Sequence, residues 1–367
     1  MRIKEIVKLI TEEAALSLQE SYDNSGLLIG DETAEVERVL LAVDVTEEVV
    51  EEAVSKKCGL IIAHHPLIFK GLKSINPVNP VERIAIKAIQ NNIAIAAMHT
   101  NLDNYQFGVN AKLAAVLGLK NLEILSPIKA GLRKLIVFVP QHHAEKVRKA
   151  LFDAGAGAIG AYDSCSFNTP GTGTFRPREN ANPFVGERGK LHQVAEVKVE
   201  TVVPAHRLAQ VLSAMTAAHP YEEVAYDVFP LENTNSTAGA GMLGELEDPL
   251  SEQAFLGMIS SKLGSPAMRH TAFTNKKIKK VALCGGSGVF LLTNAKAARA
   301  DAFVTGDMKY HDFFEADGKL LMVDAGHYET EQFTKELMAD IIQKKIPKFA
   351  ALISEVNTNA VSYFQNK

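Results

Sequence analysis

Three short apolar runs in this chain end in the same way. Leu60-Ile61-Ile62-Ala63 stops at His64-His65-Pro66, Ile93 to Met98 stops at His99-Thr100-Asn101-Leu102-Asp103, and Leu320 to Val323 stops at Asp324-Ala325-Gly326-His327-Tyr328-Glu329-Thr330-Glu331. A short, β-branched or alanine-rich run cut off by polar and turn-forming residues reads as a buried strand that opens into a loop. In open α/β sheets the carboxyl-terminal edge of the strands is where ligands bind. Adjacent histidines alone would as readily cap a loop. Three strands that each deliver imidazole and carboxylate to such an edge point to chemistry, and they require a fold that brings the edges together.

The surrounding pattern supplies that fold. Ile3, Ile6, Val7 and Ile10 have helical spacing; Val39 to Val43 reads as a strand, and Thr46 with Glu48 and Glu51 opens a helix. Helices are expected over about Val81 to Ile89 and Asn110 to Leu117, alternating with the His64 and His99 strands. The alternation predicts an α/β fold with a parallel or mostly parallel sheet covered on both faces. After Leu125 the order changes to strand (Leu135 to Pro140), helix (Ala144 to Ala154), two strands, helix (near Ala205 to Thr216) and strand (Val224 to Val228), the order of a ferredoxin-like α+β unit. Residues 127–236 are therefore expected to be an insert, closed by the flexible-looking Glu232 to Thr237, between an α/β first half at 1–126 and a second half at 237–367. The alternation resumes with a helix around Ala254 to Leu263, the strand Lys280 to Cys284, the Leu320 strand, a helix from Tyr328 to about Gln343 and the strand Ala350 to Ile353.

Composition excludes several classes. With 367 residues, 47% of them hydrophobic and 22% charged, the chain can bury a sizeable interior over two or three domains. A formal net charge of -4 argues against a general nucleic-acid surface. No run approaches the about eighteen apolar residues of a membrane span, and Met1 to Glu5 is not a signal peptide, so no membrane partner and a soluble, cytoplasmic protein are expected. Cys58, Cys165 and Cys284 are odd in number and widely spaced, which suggests neither disulfides nor a thiolate zinc site.

His327 and Glu331 stand four apart at the start of an expected helix, so both face one side and can reach one metal. Imidazoles with carboxylates suit Zn, Fe, Mn or Co. Three histidines with two carboxylates exceed one open tetrahedral site and fit two metals about 3.5–4 Å apart. Spacing does not choose among the remaining donors: Asp103 can be a ligand or a helix cap, His99 a ligand or a donor behind one, and Glu329 is a second carboxylate on another helix face.

Taken together, Ala63-His64-His65-Pro66, His99 to Asp103, Thr305-Gly306-Asp307 with His311, and Gly326 to Glu331 resemble the Nif-three-like dinuclear-metal proteins, whose members are often labelled GTP cyclohydrolase 1 type 2 homologs. The resemblance covers the two outer segments. It implies His64, His65, Asp103, His327 and Glu331 as ligands of two divalent metal ions per chain (Zn, Fe or Mn), with Glu331 as the bridge. It further implies His311 beside the metals as the catalytic proton donor or phosphate contact and His99 behind the ligands. Asp23-Asn24-Ser25-Gly26-Leu27 matches an early family segment, to which no substrate contact is assigned. A toroidal homohexamer is also implied.

The insert resembles the CutA-like or PII-like domain of the longer bacterial members, and His219-Pro220-Tyr221-Glu222-Glu223 matches its signature. Assembly, or gating of access, is the expected role of the insert, because trimer contacts would cover an unpaired sheet edge. His142-His143 lacks a carboxylate at comparable spacing and is assigned no chemistry, and Gly285-Gly286-Ser287-Gly288 is a weak phosphate-loop signal. Two functional classes follow. One is a dinuclear metal-dependent hydrolase attacking a nucleotide or other phosphorylated small molecule with a metal-bound hydroxide. The other is a non-catalytic hexameric metal-binding scaffold.

Overall fold

The structure is a computed structural model that describes residues 1–364. Two compact units divide the chain: one joins Met1–Pro127 to the chain from Thr237 onward, and the other is Ile128–Ser236. No helix of the described residues is long and apolar enough to cross a membrane.

The first unit is α/β and carries two sheets. Five strands lie in the order Gly26–Ile29, Ala94–Ala97, Leu60–Ala63, Arg38–Ala42, Ala350–Ile353. All are parallel except Gly26–Ile29, which pairs antiparallel on one edge. On the other edge, Ala350–Ile353 from the second half of the sequence pairs with Arg38–Ala42 from the first, so neither half is a closed structure by itself. Leu60–Ala63 is buried along its whole length, as a central parallel strand requires, which accounts for its unbroken apolar character.

Six strands form the second sheet, in the order Arg269–His270, Leu321–Asp324, Ala302–Gly306, Lys277–Ser287, Asn235–Ser251, Lys120–Ile128. Its central three strands are parallel. The long Asn235–Ser251 strand pairs antiparallel with Lys277–Ser287 and starts inside the stretch expected to be flexible, where polar residues hide its strand character.

Helices are set by local caps. Thr46 accepts from the Val49 amide at 3.3 Å to start Glu47–Ser55, and Asn79 accepts from the Glu82 amide at 3.0 Å to start Pro80–Gln90. The single helix expected from Tyr328 breaks in two, His327–Glu331 and Thr334–Lys345.

Ile128–Ser236 is the ferredoxin-like unit. Its sheet runs Ser166–Phe175, His192–Pro204, Leu132–Pro140, Tyr226–Leu231, all antiparallel. Helices Ala144–Asp153 and Leu208–Ala218 cover one face, where Leu135, Val137, Val139, Val199 and Val203 are buried with Val147, Leu151, Val211 and Met215. Within this unit His219 accepts from the Tyr221 amide and bonds the Phe138 carbonyl, while the Tyr221 hydroxyl donates to Glu196. The His-Pro-Tyr-Glu-Glu segment thus ties the end of a helix to the sheet.

Candidate metal centre

Strand ends from both sheets of the first unit meet at one place. His64 and His65 follow the Leu60–Ala63 strand, Asp103 ends the short helix Thr100–Asp103 after the Ala94–Ala97 strand, and His327 and Glu331 flank the one-turn helix after Leu321–Asp324. One ligand atom from each of His64, His65 and Glu331 lies within 4.8 Å of the others.

Each imidazole is held by its Nδ1 and turns its Nε2 inward. His64 Nδ1 is 2.8 Å from the Met98 carbonyl, which only accepts, so that nitrogen carries a proton and Nε2 is the lone-pair nitrogen of the neutral ring. His65 Nδ1 donates to Asp44 at 2.7 Å and His327 Nδ1 to Asp307 at 2.6 Å. The inward nitrogens of His65 and His327 lie 3.2 Å apart, each about a hydrogen-bond length from Glu331 Oε2, at 3.0 and 2.9 Å. His64 Nε2 faces the other oxygen, Glu331 Oε1, at 3.6 Å and Asp103 Oδ1 at 3.7 Å. Both distances are too long for hydrogen bonds, and among the described residues this fully buried nitrogen has no hydrogen-bond partner.

An unpartnered buried polar atom costs free energy unless something fills the gap. Ligand bonds of about 2.0–2.1 Å in a tetrahedral set put the donor atoms about 3.3 Å from one another, and the observed separations bracket that value. Fixing each Nδ1 on an acceptor, so that Nε2 points at a common centre, is how metal-binding histidines are oriented. The residues present therefore fit a cation.

Electrostatics agree. Burial would raise Glu331, but the charge of His64 and the hydrogen bonds from His327 and His65 hold its carboxyl well below the usual range. Burial would lower His65 and His327, yet Asp44 and Glu331 hold the first at about 10, and Glu331 and Asp307 hold the second at about 9. Asp103, desolvated first and lowered by His64 second, is pushed up to about 6. The pocket potential is negative enough to retain positive charge in the space between these groups.

Four residues with no spacing signal in the sequence complete the site. Asp44 lies past the end of the Arg38–Ala42 strand and is held below the carboxylate range against its own burial by His65 and Thr358. Asp307 sits in a left-handed conformation at φ 55° after Ala302–Gly306. Asp23 accepts from His99 Nδ1 at 2.7 Å and from the amide and hydroxyl of Thr100, which lowers its carboxyl against burial. Gly286 makes room: a Cβ there would sit 2.2 Å from Glu331 Oε1 and 3.1 Å from His327 Nε2. The Gly285 to Gly288 turn is therefore a cradle and not a phosphate loop. Its amides at Gly285, Gly286 and Gly288 are taken by Asn110, Thr330 and Thr305.

The remaining sequence candidates separate. Glu329 is buried but turned away, accepting from Asn359 at 3.0 Å. His99 stacks edge-on against His64 and His65, with ring centroids 5.4 and 5.5 Å apart. His311 lies exposed in the 3-10 segment Tyr310–Ala316 beside the rings of Tyr310 and Phe314, and among the described residues no hydrogen bond, ion pair or ring contact joins it to the cluster.

An α/β unit whose two sheets converge on one buried and two part-buried imidazoles and a desolvated glutamate defines a candidate metalloprotein. The chain belongs to the Duf34/NIF3 (NGG1p interacting factor 3) family, whose model matches residues 1–360. It is 40% identical over 364 residues to a protein of Halalkalibacterium halodurans named GTP cyclohydrolase 1 type 2 homolog, with 98% of each chain covered. A Bacillus subtilis protein of the same name is 38% identical over 366 residues, again covering 98% of each. Among solved structures, a Bacillus cereus protein related to NIF3 superposes with a TM-score of 0.86 at 41% identity, covering 99% of each chain. A Staphylococcus aureus protein gives 0.74 at 34% identity with the same coverage.

Proposed function

We propose that this protein is a hydrolase that holds two divalent metal ions in the His64, His65, Asp103, His327 and Glu331 cluster and acts on a nucleotide or other phosphorylated small molecule. The observation that carries the reading is the bare, buried Nε2 of His64 set opposite one oxygen of Glu331, while the other oxygen serves His65 and His327. One carboxylate thereby addresses two sets of donors. A divalent metal in such a site supplies Lewis acidity toward a phosphoryl or ring-carbonyl oxygen and toward water.

The chain's own residues do the rest. Met98, Asp44 and Asp307 fix the imidazole orientations, so no reorganisation is needed when charge develops. Burial of His64 and Glu331 keeps bulk water away from the inner side of the cluster. Outside it, a series of rings leads inward from exposed Tyr22 to Phe69 at 6.4 Å and on, edge to face, to His99 at 6.3 Å. Among the described residues, exposed His311 has no hydrogen bond, ion pair or ring contact with the cluster.

The relatives' name adds opening of the GTP ring to the candidate reactions of this class. Hydrolysis is to be measured for GTP, other nucleoside phosphates and ribose phosphate with protein reconstituted in Zn, Mn or Fe, beside His65→Ala. Turnover that His65→Ala abolishes supports the reading. Two bound metals with no turnover across the panel would contradict it and favour a metal-binding scaffold.

A further inference from the structure

We propose that the C-terminal segment 354–364 is a working part of the metal centre, in which Thr358 positions His65 for ligation through Asp44. This rests on the metal reading above. The segment leaves the Ala350–Ile353 strand and is pinned at once: the Ser354 amide donates to the Leu41 carbonyl at 2.8 Å, and the Ser354 hydroxyl and Glu355 amide bond Glu52. Two successive side-chain turns then shape it, with Asn359 N donating to Asn357 Oδ1 and Val361 N to Asn359 Oδ1, both at 3.0 Å.

These turns aim two side chains at the site. The Thr358 hydroxyl donates to Asp44 Oδ2 at 2.7 Å, and Asp44 Oδ1 accepts from His65 Nδ1, also at 2.7 Å. Each oxygen of Asp44 thus has one defined donor, and the carboxylate plane cannot turn without breaking one of them. Asn359 meanwhile holds Glu329, the carboxylate closest in sequence to the ligand pair, out of competition for the cation. The same segment helps line a cavity of about 660 Å³, to which Thr358, Asn359 and Tyr363 contribute together with His65 and His327. It lies where a ligand of the cluster would enter.

A hydroxyl that fixes the acceptor behind a ligating histidine is a positioning group, and loss of such outer partners typically costs about 10–100-fold in metal affinity. The intact chain is titrated with Co(II) and Zn(II) against a competing chelator, as wild type, Thr358→Val, Thr358→Ser, Asp44→Asn and the Thr358→Val/Asp44→Asn double variant, and the visible Co(II) spectrum is recorded at saturation. Thr358→Val is expected to lose about 10-fold or more, Thr358→Ser to recover most of it, and the double variant to be no weaker than Asp44→Asn alone, because both act through one carboxylate. The Co(II) spectra of Thr358→Val and Asp44→Asn should shift alike. Unchanged affinity in Thr358→Val, a Thr358→Ser as weak as Thr358→Val, or fully additive losses would overturn the proposal. Wild-type protein that binds no Co(II) or Zn(II) would instead remove the metal reading on which it rests.

Discussion

Glu331 Oε1 stands 3.6 Å from His64 Nε2, a pair too far apart to share a proton and close enough to share a cation. Because Glu331 is 4% exposed, nothing else can satisfy it from solvent. Glu331→Gln should therefore lower metal affinity by more than about 100-fold, beyond the loss of any outer partner. Glu329→Gln, which touches Asn359 and not the cluster, should leave affinity within a few-fold of wild type. Chelator competition on both variants checks this, and the opposite order would exchange the roles of the two glutamates.

Gly286 tests the cradle. At φ +57°, and with its virtual Cβ 2.2 Å from a buried carboxylate oxygen, alanine there is both strained and in the way. Gly286→Ala should cost about 1–2 kcal/mol of stability from backbone strain and also displace Glu331 from its place. Denaturant unfolding in chelator isolates the first effect and metal titration the second.

Acid should loosen the ferredoxin-like unit first. Burial, and then Arg207, hold His206 down at about 4, and burial likewise lowers His219 despite its bond to the Phe138 carbonyl. Both histidines bind protons more readily unfolded, near pH 6.5, than folded. Their contribution is therefore complete above about pH 6.5 and is lost as pH falls below it, for His206 down to about 4, at no more than about 1.4 kcal/mol per pH unit for each proton. Amide exchange in the Leu208–Ala218 helix of the intact chain should accelerate across that window, and His206→Gln should flatten the dependence.

The homohexamer expected from the resemblance needs a contact surface, and the ferredoxin-like sheet offers one. Phe167 is 68% and Phe229 50% exposed, and both lie on the sheet face opposite the helices. If the expected assembly uses this face, Phe167→Lys with Phe229→Lys should lower the sedimenting mass while the melting temperature in chelator changes little. An unchanged mass would place the contact elsewhere.

The candidate ligand residues could be picked out because each follows an apolar run at a strand end, where residue type and position coincide. Asp44 carried no signal, and although the segments of Asp307 and Asp23 match family motifs, their contacts could not be read, because all three reach the site across the fold. Asp44 bonds His65 from 21 positions away and Asp23 bonds His99 from 76, distances that no local periodicity encodes. The α/β alternation and the ferredoxin-like order could be read from hydrophobic period alone. The pairing of Ala350–Ile353 with Arg38–Ala42 could not, since strand order is decided by tertiary packing. The polar Asn235–Ser251 strand escaped detection for the converse reason: composition suggested a linker where hydrogen bonding made a strand. His311, which the resemblance puts beside the metals, stands exposed next to Tyr310 and Phe314.

The most direct test of the central claim is metal stoichiometry per chain, measured by elemental analysis after reconstitution with Zn and removal of excess, for wild type and His64→Ala. With Glu331 dividing its oxygens between His64 on one side and His65 and His327 on the other, wild type should hold two ions and His64→Ala about one. A wild-type value below one ion per chain, or full occupancy in His64→Ala, would contradict the account.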